Sequence, residues 1–408
     1  MLRPGSDGVM RSGAVSAADR STAMLREARD LSADTISAYL SAAGFDGIPG
    51  NGALILNAIT SRPRSVVDIA RALDIPERET SETINALAQR GYVQYRATPP
   101  AHSRELVILT DHGQAANDVA MQGFRAARWT DFPFRPGDIV VSTWPKTGTT
   151  WVQMICALLI FQTPELPAPL SQLSPWPDLS KISRDEVYAQ LAAQEHRRII
   201  KTHLPLREIP IDPRATYITV GRHPLDSALS LYHQNNNKVL GGLDGARPRP
   251  EERPRPSPSA RDWLLQWIDT APGPHVHYHY LAEMLRHLSA AWSLRHEPNV
   301  VLVHYADLSA NLAAEMRGLA ARLDISVPEA AWPDLVQAAT FTQMQANPDH
   351  FIPPGIAMKD NASFFRSGVS GQGRALLTGA ELGRYHARVA RLAPQDLLAW
   401  LHHNEGHG

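Results

Sequence analysis

From about residue 134 onward, short apolar runs alternate with segments whose apolar positions recur every three to four residues. The runs are "DIVVSTW" (138–144), "RRIIKTHL" (197–204), "ATYITVGR" (215–222) and "NVVLVHY" (299–305). Near-continuous apolar strands separated by helical periods predict a parallel sheet covered by helices on both faces. Ligands of such sheets sit at the carboxyl ends of the strands. Each of the four runs closes on or near a residue able to bind an anion or move a proton: Lys146, His203, Arg222 and Tyr305. Upstream the pattern differs. "SVVDIARALDI" (65–75) and "ERETSETINALAQRGYV" (77–93) are short helical periods around a turn, and "YVQYRATPPAHSRELVILT" (92–110) is a pair of strands around a Pro-containing tip. That order predicts a helix-turn-helix with a wing. Residues 1–28 hold no sustained period and predict a flexible leader, so the expected division is 1–28, 31–120 and 134–408.

Charge limits the partners. The formal net charge of −1 gives no global attraction to nucleic acid or to an acidic membrane surface. Between Leu31 and Ala120 there are ten acidic residues, seven arginines and no lysine, with Glu77, Glu79 and Glu82 opening the second helix. Carboxylates there repel phosphates, so a role in pairing, packing or sensing is expected ahead of DNA binding. The run 31–43 supplies a helix for pairing, which leaves a homodimer open. The single cysteine, Cys156, rules out an internal disulfide framework. No stretch approaches the roughly 20 apolar residues of a membrane span, and the expected compartment is the cytoplasm. Only five of the forty Lys plus Arg are lysine, which draws notice to Lys146 and Lys201.

The turn "STWPKTGTTWVQ" (142–153) lies between a strand and an amphipathic helical period, so the amides of Thr147, Gly148, Thr149 and Thr150 face an anion from a helix N-terminus. A nucleotide triphosphatase loop has the pattern G-x-x-x-x-G-K-[ST]; here the lysine precedes the glycine, which suits a shorter anion. In "GRHPLDSALS", Arg222 offers a bidentate fork and Ser230 a hydroxyl two turns into the next helix. "KTHLP" sets Lys201 and His203 at a strand end, where an imidazole serves as a base near neutral pH. Two further stretches are less telling. "GARPRPEERPRPSPSAR" (245–261) is either a lid or a solvated insertion, and "HVHYHY" (275–280) lacks the carboxylate or cysteine that metal ligation calls for.

These motifs carry two resemblances. Residues 31–120 resemble the winged-helix domain of MarR-type regulators, with "LAQRGYV" closing the second helix and "RELVILTDHG" as the returning strand. Residues 134–380 resemble the soluble sulfotransferases that use 3′-phosphoadenosine 5′-phosphosulfate (PAPS). "PKTGTTW", through Trp151, is similar to the family's 5′-phosphosulfate loop, "GRHPLDSALS" to its 3′-phosphate segment and "KTHLP" to its catalytic histidine segment. The resemblance further implies that Tyr305 reaches the adenine and that Phe341 stacks on it. It also implies that "FFRSGVSGQGR", with Arg366, Ser367 and Gly368, closes over the 3′-phosphate. That last loop departs from the family pattern: Ser367 stands where lysine is common, and Gln372, Gly373 and Arg374 replace acidic, tryptophan and lysine positions. Arg366 then carries most of the grip.

The resemblance therefore implies a P-loop-like parallel sheet flanked by helices, the sulfotransferase fold, with a smaller winged-helix domain before it. It implies an enzyme that moves a sulfuryl group from PAPS to a hydroxyl of a small molecule and releases PAP, adenosine 3′,5′-bisphosphate. His203 is the implied base; Lys146, and with it Lys201, stabilises charge, and no metal is called for. The alternative is a transcriptional regulator whose sulfotransferase-like half senses a nucleotide or metabolite. The acceptor is unnamed by the sequence; segments 162–195, 235–260 and 345–360 are expected to line its pocket. An Arg-heavy composition fits a GC-rich genome, for which tailoring of secondary metabolites is one setting.

Overall fold

The computed structural model describes residues 33–60, 62–96, 105–179, 182–237, 258–270, 280–352 and 357–403. The leader, the hairpin tip (97–104) and most of the 245–261 and 275–280 stretches lie outside the described residues.

The N-terminal part runs α1 (33–42), α2 (Gly52–Ala58), α3 (Val66–Leu73), α4 (Glu77–Gln89), β1 (Val93–Arg96), β2 (Leu106–Leu109) and α5 (Asp111–Ala127). Ser65 starts α3 by accepting the Asp68 amide, and Asp74, in the left-handed region at φ 54°, ends it. β1 and β2 pair antiparallel, Val93 opposite Leu109. Ile55, Leu56, Ile69, Ile84, Leu87 and Val107 are fully buried in one core beneath these elements.

The larger part contains β3 (Ile139–Ser142), α6 (Thr149–Phe161), α7 (Leu170–Leu173), α8 (Arg184–Ala193), β4 (Ile199–Thr202), β5 (Thr216–Gly221) and α9 (Pro224–Asn237). It continues with α10 (Ala260–Asp269), α11 (Leu281–Ser293), β6 (Val300–His304), α12 (Tyr305–Ala310), α13 (Leu312–Arg322), α14 (Trp332–Ala338) and α15 (Phe341–Ala346), and then with α16 (Gln372–Ala375), α17 (Gly379–Leu392) and α18 (Gln395–Leu401). The four strands form one parallel sheet in the order β4-β3-β5-β6, as the apolar runs predict. Both faces are dry. Ile139, Val141, Ile218 and Val220 pack on α6, α13 and α14, whereas Val140, Ile200, Tyr217 and Val300 pack on α8 and on Trp129 and Phe132, which follow α5.

One helix differs from its expectation. The period after the turn predicts an amphipathic α6, but Val152, Ile155, Cys156, Ala157, Leu158 and Leu159 are all fully buried, and Gln153 meets Ser174 Oγ at 2.7 Å. A helix buried on every side is the one under the centre of the fold. No described helix is long and apolar enough to cross a membrane.

Candidate functional site

At the carboxyl edge of the sheet lies a cavity of about 560 Å³, within the usual size of about 300–1,000 Å³ for small-molecule sites. Lys146, Gly148, Thr149, Thr150, Trp151, Lys201 and His203 line it, as do Arg222, Ser230, Tyr305, Phe341, Arg366, Ser367 and Gly368. Of the sequence-derived set, Thr147 alone is absent from the lining: its hydroxyl donates to the Trp144 carbonyl at 2.8 Å and its amide faces the same oxygen. The amides left facing the cavity are those that open α6. Two backbone features shape it. Lys146 sits in the left-handed region at φ 69°, and Gly148 caps α6 at φ 121°, where an added Cβ would lie 3.1 Å from the Tyr305 ring. Lys146 Nζ rests 5.1 Å from the Phe364 ring centre.

A second group on the same cavity is a pair of cations, Arg222 and Arg366. Arg222 donates from Nη1 to the Lys146 carbonyl at 3.0 Å and lies 4.0 Å over the Tyr305 ring, while its Nε is buried without a hydrogen-bond partner among the described residues. Burial and then the Arg222 charge lower the pKa of Arg366. Two guanidiniums that repel each other across one cavity are relieved by an anion between them. The loop that carries Arg366, Ser367 and Gly368 is pinned by Asp226 of α9, which accepts the Gly371 amide at 2.7 Å and the Gly373 amide at 2.9 Å. Gly373 is needed there, since a Cβ would stand 2.3 Å from the Leu225 carbonyl. Arg366 and Ser367 both bond Gln372 Oε1. Trp151, holding the Ala339 carbonyl at 2.8 Å, meets Tyr305 edge-on, and Phe341 meets Phe365 likewise.

The third group holds an imidazole. His203 Nδ1 lies 2.7 Å from the Thr143 carbonyl. A carbonyl only accepts, so Nδ1 carries the proton and Nε2 keeps a lone pair for the cavity. Burial first, and then the Lys201 charge, hold His203 well below its usual pKa. Lys201 lies 4.0 Å over the Trp176 ring, and burial lowers its pKa to about 8 against the opposing pull of Asp178. Trp176 also meets His203 edge-on at 4.8 Å.

Of the segments expected to line the remainder, 162–195 supplies Trp176, Asp178 and Leu179, whereas no described residue of 235–260 or 345–360 reaches the lining. Phe364 and Phe365 stand there instead, and so do Asn57 of α2 and Asn117, Asp118, Met121 and Arg125 of α5. Sequence reasoning missed these and Asp226. The signal for Asp226 was present, inside "GRHPLDSALS"; α5 gave none, because its cavity face has the same amphipathic period as any half-buried helix.

Known proteins share this architecture. The family model for the sulfotransferase domain matches residues 136–393. The chain is 40% identical over 299 residues to the glycolipid sulfotransferase of Mycobacterium bovis (strain BCG / Pasteur 1173P2), a match that covers 67% of this chain and 90% of the relative. It is 26% identical over 266 residues to sulfotransferase 1A1 of Bos taurus, covering 63% of this chain and 83% of the relative. Among solved structures, mouse sulfotransferase SULT7A1 complexed with PAP superposes with a TM-score of 0.53 at 18% identity, covering 68% of this chain and 93% of that one. Retinol dehydratase in complex with androsterone and inactive cofactor PAP gives 0.50 at 18% identity, covering 74% and 90%. These two show likeness of fold alone. With a family match over more than half its length and a relative aligned over nine-tenths of its own, this chain belongs to the sulfotransferase family and is an enzyme of that family.

Proposed function

We propose that this enzyme transfers a sulfuryl group from PAPS to a hydroxyl of a small amphipathic molecule. The observation that carries the reading is the alignment, on one sheet edge, of two anion positions and a neutral imidazole. Their residues suit the donor. The amides opening α6 and Lys146 fit a 5′-phosphosulfate, and the buried, unpartnered Arg222 Nε with Arg366 and Ser230 fits a 3′-phosphate. Tyr305, Trp151 and Phe341 give the purine an aromatic surround. When bound, PAPS supplies the sulfuryl group and the leaving 5′-phosphate.

His203 Nε2 takes the proton of the acceptor hydroxyl as its oxygen attacks, and the Nδ1 bond to Thr143 holds the ring in that tautomer. Lys146 and the α6 amides offset the charge that grows on the departing oxygen. Lys201, fixed over Trp176 at the same cavity, would help neutralise the transferring group. The apolar share of the cavity, with Trp176, Leu179, Leu204 and Leu231, suits an acceptor with an apolar body, and the mycobacterial relative's name as a glycolipid sulfotransferase agrees with that class.

The division into a MarR-like winged-helix domain (31–120) and a sulfotransferase domain (134–408) is part of this proposal. The helix order and the β1-β2 hairpin support it. DNA binding is not, given Glu77 and Glu79 in the first turn of α4; a salt-sensitive, sequence-selective mobility shift would reverse that judgement. The reaction is tested by following sulfation of 2-naphthol from PAPS. His203→Ala should lower kcat by roughly 10² to 10⁴, the scale of a general base, with PAP affinity unchanged. Near-full turnover in that variant removes His203 from the mechanism.

A further inference from the structure

The wall of the cavity that the sulfotransferase match does not cover is the one built by the N-terminal part. The family match begins at residue 136, yet Asn57, Asn117, Met121 and Arg125 line the same cavity as His203. Their position is held firmly. Gln122 of α5 donates to both carboxylate oxygens of Glu208 at 2.8 and 2.9 Å. At the end of α5 the buried Arg128 donates to the Leu179 and Ile182 carbonyls at 3.1 and 2.7 Å. The next residue, Trp129, is fully buried and bonds Asp178 Oδ1 at 3.1 Å, while Asp178 Oδ2 accepts Trp176 Nε1 at 2.9 Å. A continuous chain of contacts thus runs from α5 through Asp178 to Trp176, the ring on which Lys201 and His203 rest.

Within that wall the Asn117 side chain carries an oxygen that has no partner among the described residues. Asn117 is 3% exposed, lines the cavity, and has its side-chain carbonyl oxygen buried with no hydrogen bond. Proteins rarely leave such an acceptor unsatisfied, because its desolvation is uncompensated. Met121, one helical turn further along α5, adds a pliable apolar surface beside it. Arg125, one turn beyond, is close enough for its charge to contribute to the lowered pKa of His203.

We infer that the N-terminal part is one wall of the acceptor site, Asn117 turning its now-buried amide oxygen into the cavity to accept a hydrogen bond from a second hydroxyl or amide N–H of the acceptor, and Met121 packing on its apolar body. The preferred acceptor class is therefore an amphipathic compound with at least two hydrogen-bond donors, one that reacts at His203 and one that is held by α5. This rests on the sulfotransferase reading above. It assigns the N-terminal part to substrate selection.

The test uses the full chain with two matched acceptor pairs, 2-naphthol against 2,6-dihydroxynaphthalene and n-octanol against n-octyl β-glucoside, after PAP binding has been measured by calorimetry. For wild type the donor-rich member of each pair should show a higher kcat/KM by roughly tenfold, the scale of one hydrogen bond. Asn117→Leu, nearly isosteric, should bring that ratio close to one through KM, leave PAP affinity unchanged, and not lower Tm, since it removes a buried unsatisfied group. A purely structural asparagine would instead lower Tm and leave the ratio intact. Met121→Trp should raise KM for all four acceptors with PAP affinity preserved. Wild type that binds PAP but sulfates none of them, or an unchanged ratio in Asn117→Leu, overturns the inference. Wild type that does not bind PAP overturns the sulfotransferase reading and, with it, this one.

Discussion

Asp226→Asn probes how the altered 366–374 loop is held. Asp226 accepts the Gly371 and Gly373 amides on separate oxygens, at 2.7 and 2.9 Å, and is itself 4% exposed. Asparagine keeps one acceptor and turns an NH₂ toward the other amide. One hydrogen bond to a charged group, worth about 1.5–3 kcal/mol, is then lost. That loss falls on the ordering of the loop that carries Arg366, so PAP affinity should drop by roughly 10- to 150-fold. An opposing effect exists, because removing a carboxylate near two arginines favours any anion. Arg366 is only partly buried and still meets solvent, so at about 0.15 M salt this gain stays below about 1 kcal/mol and the hydrogen-bond loss wins. Calorimetric titration of wild type and variant with PAP at two ionic strengths measures both effects. Affinity within about threefold of wild type, well under the cost of one such bond, would refute the pinning argument.

Further outcomes follow from the same geometry. Burial and the Lys201 charge hold His203 well below its ordinary pKa, so the base form is already present through neutral pH. Lys201, lowered to about 8, loses its proton above that. The free-enzyme kcat/KM should thus be flat from about pH 6.5 to the Lys201 pKa and decline beyond it; a profile that rises steeply through pH 6.5–7 contradicts the assignment. Gly148→Ala places a Cβ 3.1 Å from Tyr305 at φ 121°, and should cost about 1–3 kcal/mol of stability, read as a lowered Tm, together with PAP affinity.

Much of the sheet was legible in the sequence because a parallel strand is apolar without interruption. Runs such as "ATYITVGR" cannot be mistaken for a solvent-facing edge, and β5 lies where that run predicts it. The residues just past the strand ends were legible for the same reason: parallel order brings every carboxyl end to one edge. Other features depend on tertiary neighbours. The period of α6 predicts a polar face, but the polar residues that mark it, Thr149 and Gln153, are satisfied inside by Thr143 and Ser174. The Thr147 amide, expected in the cradle, instead faces the Trp144 carbonyl, which only the folded turn reveals. Asn117 has no local signature, because its significance lies in a cavity shared with His203, 86 positions away in the chain.

The proposed reaction depends on a donor site built for a nucleoside bisphosphate, with Lys146 at its 5′ end. Calorimetric titration with PAP, with ATP as control, on wild type and Lys146→Ala tests it most directly. PAP should bind, ATP should be ignored, and the variant should lose roughly 10- to 100-fold in affinity, the worth of one charge-assisted hydrogen bond. Absence of PAP binding, or equal binding of ATP, would contradict it.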